Sequence, residues 1–323
     1  MLICIPFYNG HGHVAALIER LTTDAGEYKI LIVDNSPRES TSEDFCSLVP
    51  QNSGVEVTVL RTAPSIGFGR ASNAGILWAY EHGHRRVLLL NQDAQISGSI
   101  LNELDSYMVT SGAATLGGVE VEDASMAIHP QFWDWYLSKP FGRPMPLGEA
   151  QKLGPQQVTQ VCGSAMCIDI EVAMRDGGFD PAYFMYGEDT EICRRLIQKG
   201  HSLTIHPSFI YTHHHSNLSA TDAARDQIVA WMRERKTIDA LKADRPLLKK
   251  LPKVLARRAA EYAYDAIRYR RLSRLRLGWK SDLALWKRRE ALHSVLQGES
   301  ASQRAWSQAQ ADLRESVVST FKR

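Results

Sequence analysis

Glu188 and Asp189 stand side by side behind the aromatic turn YFMYG (183–187). Adjacent carboxyls next to apolar rings suit proton abstraction, because such surroundings raise a carboxyl pKa toward that of a useful base. The bland alternative is a pair of acids complementing a helix dipole. Asn91-Gln92-Asp93 ends the apolar run 87–90 and offers one carboxylate with two amide oxygens. Mg²⁺ and Mn²⁺ take hard oxygen ligands, and Mg²⁺ sites often use one or two carboxylates with substrate phosphates. A helix cap is the alternative there, although Ser97 or Ser99 would serve a helix at 98–109 better.

Three more features carry polar chemistry. Asp34 follows the apolar ILIV (30–33) and can accept from a nucleobase N–H or a ribose hydroxyl; in Asp34-Asn-Ser-Pro37 it can equally be a turn residue. IGFGRASNAG (66–75) is a glycine-rich turn entering a helix, a setting that favours phosphate, with Arg70 adding charge. Asn73 pinning backbone is the alternative. His213-His214-His215 follows an extended run, and in a strand His213 and His215 share one face, so a metal or phosphate contact competes with plain surface polarity.

The elements that must position these residues alternate. Strand patterns at 2–8, 29–34, 55–61 and 85–93 are interleaved with helix patterns at 14–21 and 71–83. That order predicts an α/β domain with a mainly parallel sheet, and ligands on such sheets bind beyond the carboxyl ends of strands. Asp34 and Asp93 both sit at such ends. HPQFWDWYLSKPFGRPMP (129–146) reads as a long ordered excursion, and its Trp133, Trp135 and Tyr136 offer flat apolar faces for a ligand or else core packing. Strand returns at 161–170, helices follow near 171–178 and 187–200, and 202–216 is extended. The expected division is a domain over 1–222, in two parts that meet near 110, then a helical basic region over 223–323.

Composition supports a globular chain of 323 residues, 44% apolar and 23% charged. No run approaches the roughly eighteen apolar residues of a membrane span, and no basic n-region precedes LICIPFY, so a cytoplasmic protein is expected. Cys4, Cys46, Cys162, Cys167 and Cys193 have no metal-type spacing and read as free thiols in a reducing compartment. The net charge of +2 hides an asymmetry: residues 225–323 hold 24 Lys and Arg against 11 Asp and Glu. Over 253–279 an apolar stripe through Leu255, Tyr262 and Tyr269 predicts one amphipathic basic helix. An anionic membrane surface, at the inner face of the plasma membrane, or a lipid-linked pyrophosphate is the partner considered for this region, against a plain solvated helical surface; nucleic acid is disfavoured because no aromatic-basic RNA-binding motif occurs. A homo-oligomer is left open.

Gly10-x-Gly12-x-x-Ala15 with Asp34 also matches a dinucleotide fingerprint and would make the chain an NAD-binding dehydrogenase. The match is weak, since PFYN intervenes between strand and first glycine, and it leaves Asp93, Glu188-Asp189 and the histidines without a task.

CIPFYNG, IVDNS, IGFGRASNAGI, LLLNQDA and, most specifically, CGSAMCIDIEVAMRDGGFDPAYFMYGEDTEICRRLIQKG together resemble glycosyltransferase family 2, in its rhamnosyltransferase-like branch. The resemblance covers about residues 1–220. It implies a GT-A-type fold and an inverting transfer of rhamnose or a similar sugar. The donor would be a dTDP-, UDP- or GDP-linked sugar, and the acceptor a saccharide or polyprenyl-pyrophosphate-linked saccharide, in bacterial surface polysaccharide synthesis. It places Pro6, Tyr8 and Asp34 at the base and ribose, and Arg70 and Asn73 near the diphosphate. Asp93, the last acid of a DxD-type motif, would bind Mg²⁺ or Mn²⁺ with Asn91 and Gln92 beside it. Asp189 would be the general base, Glu188 its support, and His213 (or His214 or His215) would complete the metal or phosphate shell. Asn91 stands where the motif's first acid would be, which also admits a degenerate sugar-nucleotide-binding protein.

Overall fold

A computed structural model describes residues 1–9, 11–23, 28–37, 45, 54–123, 125–214, 222–243, 251–269, 272–287, 300–314 and 317–322. Cys46 and His215 lie outside them.

Among the described residues ten strands form one sheet: β1 Leu2–Phe7, β2 Tyr28–Asp34, β3 Val55–Arg61, β4 Arg86–Leu90, β5 Ala94–Gln95, β6 Thr115–Val121, β7 Gln156–Val158, β8 Ala165–Asp169, β9 Leu203–His213 and β10 Val317–Lys322. Their order is β10-β3-β2-β1-β4-β8-β6-β9-β5, with β7 on β9. Strands β3, β2, β1 and β4 run parallel. Beyond β4 the sheet is mixed: β8 is antiparallel to β4 and β6, while β6 and β9 are parallel. The parallel part thus ends at β4.

The sequence of β4 explains its place. Leu88 and Leu90 join one core with Val14 and Leu17 of helix α1 (His11–Thr23), whereas Val87 and Leu89 join the other with Ala71 and Ala74 of α2 (Phe68–Glu81). A strand covered on both faces has no polar side, hence the unbroken apolar run. Helices on opposite faces and the order 3-2-1-4 put the topological switch point between β1 and β4. Pro6 sits there. Strand β1 pairs with β4 only over Leu2–Cys4, and Pro6, which lacks an N–H, lies past that pairing while facing Val33 of β2. The two strands part at their carboxyl ends, where Tyr8 and Asn91-Gln92-Asp93 follow.

Helices α3 (Leu101–Ser111), α4 (Leu147–Leu153), α5 (Ile170–Asp176) and α6 (Glu188–Gln198) complete the first part. The aromatic excursion is helical over 130–141. In the C-terminal part, α7 spans Asp222–Ala243, α8 Leu251–Arg268, α9 Ser273–Lys287 and α10 Ala301–Arg314. The single helix expected over 253–279 is therefore two, packed together: Gly278 of α9 lies so close to the Tyr262 ring of α8 that a Cβ would fall 2.4 Å from it. Arg258 is not on a solvated face but buried, bonded to Asp282 and Ser281 of α9 and Thr237 of α7.

The C-terminal part also returns to the sheet. Strand β10 pairs antiparallel with β3, and α10 packs on α2. Asp180 of the GGFD stretch is fully buried and takes Lys242 of α7 at 2.8 Å and Arg304 of α10 at 2.6 Å. Burial alone would raise its carboxyl pKa, but the two cations outweigh that and hold it low. Among the described residues no helix is long and apolar enough to cross a membrane.

Candidate active site

The carboxyl ends of β1 and β4 are fastened to each other. Gln92 accepts from the Tyr8 N–H at 2.7 Å and donates to the Tyr8 carbonyl at 3.0 Å, leaving the Tyr8 ring exposed. Asn9, in the left-handed region, donates its N–H to Ser36 Oγ, and the Ser36 N–H in turn donates to Asp34 Oδ1. Asp34 is buried, with Arg61 Nε 3.5 Å from its other oxygen. A hydrogen-bonded chain thus runs Gln92–Tyr8–Asn9–Ser36–Asp34 along the rim of the switch point.

Asp93 turns inward. Its Oδ1 lies 3.1 Å from His213 Nε2 at the end of β9, since Ala94 of β5 pairs with His213. Glu120 of β6 approaches His213 Nδ1 at 3.8 Å. Burial lowers the imidazole pKa, but the two carboxylates prevail and lift it to about 9. Asn91 Nδ2 stands 3.3 Å from both His213 Nε2 and Ser164 Oγ. His214 is exposed.

Glu188 and Asp189 open α6. The chain reaches them through Tyr186 and Gly187, both at positive φ (66° and 97°). Gly187 also lies close under the Arg235 side chain of α7, whose Cδ a Cβ would meet at 2.5 Å. Gly69 of the glycine-rich turn packs on Phe179 and Glu188. Glu188 is buried, with Oε2 lacking a hydrogen-bond partner. Its carboxyl is pushed up to about 8, chiefly by burial and then by Asp189, with Arg235 opposing. Asp189 keeps an open edge. It accepts from Thr190 N at 2.7 Å and Gly163 N at 3.4 Å, yet burial still raises it. Burial raises both carboxyls, and a carboxylate with a raised pKa is a stronger proton acceptor.

A cleft of about 330 Å³ adjoins this pair, lined by Trp135, Tyr136, Lys139, Gln157 and Gln160 among others. Tyr136 lies close enough to Cys162 and Asp189 for both to raise its hydroxyl pKa further, after burial. Trp135 is 66% exposed, whereas Trp133 is 3% exposed and packs against Phe141. Trp133 is a core residue and does not reach the cleft.

One short segment touches three of these parts. Gln160 lines the cleft and donates to Thr190 Oγ1, Gly163 N reaches Asp189, and Ser164 meets Asn91 through both side chain and main chain. Residues 160–164 therefore join the cleft, the acid pair and the Asp93–His213 pair. Two residues expected near a diphosphate are engaged elsewhere. Arg70 forks onto Asp312 of α10, and Asn73 uses both amide groups on the Phe179 backbone. The glycine-rich turn serves packing, with Gly67 against Phe184. Sequence reading missed Arg235, Glu120, Gln160 and Ser164; each comes from an element far along the chain, and no spacing marks them.

The family model described as glycosyltransferase-like family 2 matches residues 3–234, and the chain belongs to that family. It is a glycosyltransferase, and the match spans the stretch read above as a dinucleotide fingerprint, which removes the dehydrogenase alternative. The chain is similar to the rhamnosyltransferase WbbL of Escherichia coli (strain K12), 26% identical over 229 residues, covering 65% of this chain and 83% of that protein. Among solved structures, GalNAc-T7 with UDP, GalNAc and Mn²⁺ aligns at TM-score 0.49 and 16% identity over 65% of this chain and 43% of that one. S. aureus TarS 1–349 aligns at TM-score 0.46 and 14% identity over 93% and 92%.

Proposed function

We propose that this glycosyltransferase is inverting and metal-dependent. It moves rhamnose or a similar hexose from a nucleoside-diphosphate donor to a saccharide or lipid-linked saccharide in bacterial surface polysaccharide synthesis. The observation that carries the reading is the 160–164 segment, which sets the acid pair between the cleft and the Asp93–His213 pair.

The donor's base and ribose lie along the rim of Pro6, Tyr8 and Asp34, and its diphosphate lies toward Asp93. The acceptor enters the cleft beside Trp135 and Tyr136. Asp189 takes the proton of the acceptor hydroxyl while that oxygen attacks the anomeric carbon. The bond from that carbon to the diphosphate oxygen breaks, so one displacement inverts the centre and the nucleoside diphosphate leaves. Glu188, holding its proton at neutral pH, keeps a second charge away from the base.

The donor set fits a divalent ion in part. Asp93 supplies one carboxylate, and His213 would supply an imidazole only on giving up the proton that Asp93 and Glu120 hold on it; among the described residues no group of three or more His, Cys, Asp or Glu could hold a metal. Donor phosphate oxygens would complete such a shell, as hard cations prefer. When bound, the ion neutralises charge developing on the leaving diphosphate. Asn91 fits a fastening role better than a ligand role.

A lipid-linked acceptor would place the enzyme peripherally on the inner face of the plasma membrane. The deciding experiment is a thermal-shift panel of dTDP, UDP and GDP with Mn²⁺, followed by transfer assays on the donor selected. Stabilisation by one nucleotide, with turnover that Asp189→Asn abolishes, is expected. Full turnover by Asp189→Asn refutes the base assignment, and nucleotide binding without turnover would indicate the degenerate binder.

A further inference from the structure

Helix α9 has three faces. Gly278, Ser281 and Leu285 are buried and anchor it, Gly278 against Tyr262 and the neighbouring Asp282 to Arg258. Leu275, Trp279 and Leu283 recur every four residues on a second face, which is open to solvent. Arg276, Lys280 and Lys287 are exposed on the third face and make no ion pair among the described residues. At the α8–α9 turn Ile267 is 78% exposed and Leu272 75%, matching Trp279 at 76%. Of the seventeen large hydrophobic side chains exposed among the described residues, eight fall between 264 and 286. So dense a patch is not ordinary surface scatter.

We infer that the α8–α9 pair is an anionic-membrane docking surface, with Trp279, Leu283, Ile267 and Leu272 entering the headgroup boundary and Arg276, Lys280 and Lys287 meeting lipid phosphates. A fixed helix with an open apolar row beside a basic row is the arrangement that lies in a lipid interface, and Trp suits that depth. Charge selects the occupant. A second copy meeting this face would set two basic rows against each other, whereas an anionic leaflet neutralises them. The excess of 24 basic over 11 acidic residues in 225–323 acts in the same direction. The inference names the surface behind the peripheral placement proposed above and rests on that placement.

The test is vesicle co-sedimentation of the full chain, without donor or acceptor. Vesicles of phosphatidylcholine alone are compared with vesicles holding about a third phosphatidylglycerol. Binding at least tenfold tighter to the anionic vesicles is expected. A tenfold loss is expected both in Trp279→Ser/Leu283→Ser and in Arg276→Glu/Lys280→Glu, with melting temperatures unchanged because these side chains are exposed. No anionic preference, or wild-type binding by both variants, overturns it. So does a dimer, seen by light scattering, that Trp279→Ser/Leu283→Ser dissolves while vesicles capture nothing. Since no sugar transfer is read, the result stands apart from the fate of the transferase reading.

Discussion

Replacing Glu188 with Gln tests the electrostatics of the acid pair most directly. In the folded chain the carboxyl holds its proton up to about pH 8, while an ordinary glutamate loses it near 4.5. Between those values the folded state binds more protons than the unfolded state, so wild-type stability falls as pH rises through the window. Glutamine carries no such proton and lacks that slope. At about 1.4 kcal/mol per pH unit, the wild type has lost about 3 kcal/mol at pH 7 relative to acid conditions. For a chain of this length the melting temperature of the variant relative to wild type should therefore rise by about 3 °C between pH 5 and pH 7. The pH-independent cost of burying the amide displaces the whole curve and leaves its slope intact. Thermal melts of both proteins from pH 5 to 8.5 give the difference directly, and it should flatten above pH 8. Transfer assays add a second readout. Glutamine copies the neutral form of Glu188, so turnover at pH 7 should stay within about threefold of wild type. A melting difference that does not change with pH, or a variant that loses activity at pH 7, refutes the reasoning.

Asp189→Asn should lower turnover at least about a hundredfold, the usual worth of a positioned base, with nucleotide affinity unchanged by calorimetry; an active variant would displace the base. Asp93→Ala and His213→Ala should each weaken Mn²⁺-supported nucleotide diphosphate binding at least about tenfold, and titration calorimetry with unchanged affinity would exclude them as ligands. Asp180→Asn leaves Lys242 and Arg304 facing a neutral amide in a buried site. It should cost about 3–5 kcal/mol in denaturant unfolding, and a cost below about 1 kcal/mol would show the three-way contact to be dispensable. Trp135→Ala should raise the acceptor KM with stability within about 0.5 kcal/mol. Trp133→Ala should cost about 3–5 kcal/mol, and the reverse pattern would exchange their roles.

What could be read from the sequence is what local pattern encodes. The strand at 55–61 is marked by alternation, β4 by an apolar run too short for a helix, and α6 by acids before bases. The polar end of β4 is legible because β-strand geometry fixes where a strand stops. The C-terminal part is harder, since its contacts are long-range. Val317-Val318-Ser319-Thr320-Phe321 has the composition of a strand, but nothing local says that it pairs with β3. Arg258 and Arg268 look alike in sequence, yet one is buried on Asp282 and the other exposed, because packing of α8 on α9 decides it. Arg70 gave a false lead for the same reason: its partner, Asp312, lies 242 residues away.

Asn91 shows what the structure adds at the most doubtful position. Read alone, an amide in place of the first acid of a metal motif suggests a lost ligand. In the fold, its side chain meets Ser164 Oγ at 3.3 Å and its main-chain N–H donates to the Ser164 carbonyl at 2.9 Å. The same residue therefore ties β4 to the segment that carries Gly163 to Asp189. A carboxylate at 91 would also add a third acid around His213, which already faces Asp93 and Glu120. The Asn91 amide instead keeps the cluster at two carboxylates and one imidazole, and donates where a carboxylate could only accept. Losing the acid is then not by itself a sign of degeneracy, because the position has a structural task that an amide performs, tying β4 to the segment whose Gly163 N–H reaches Asp189.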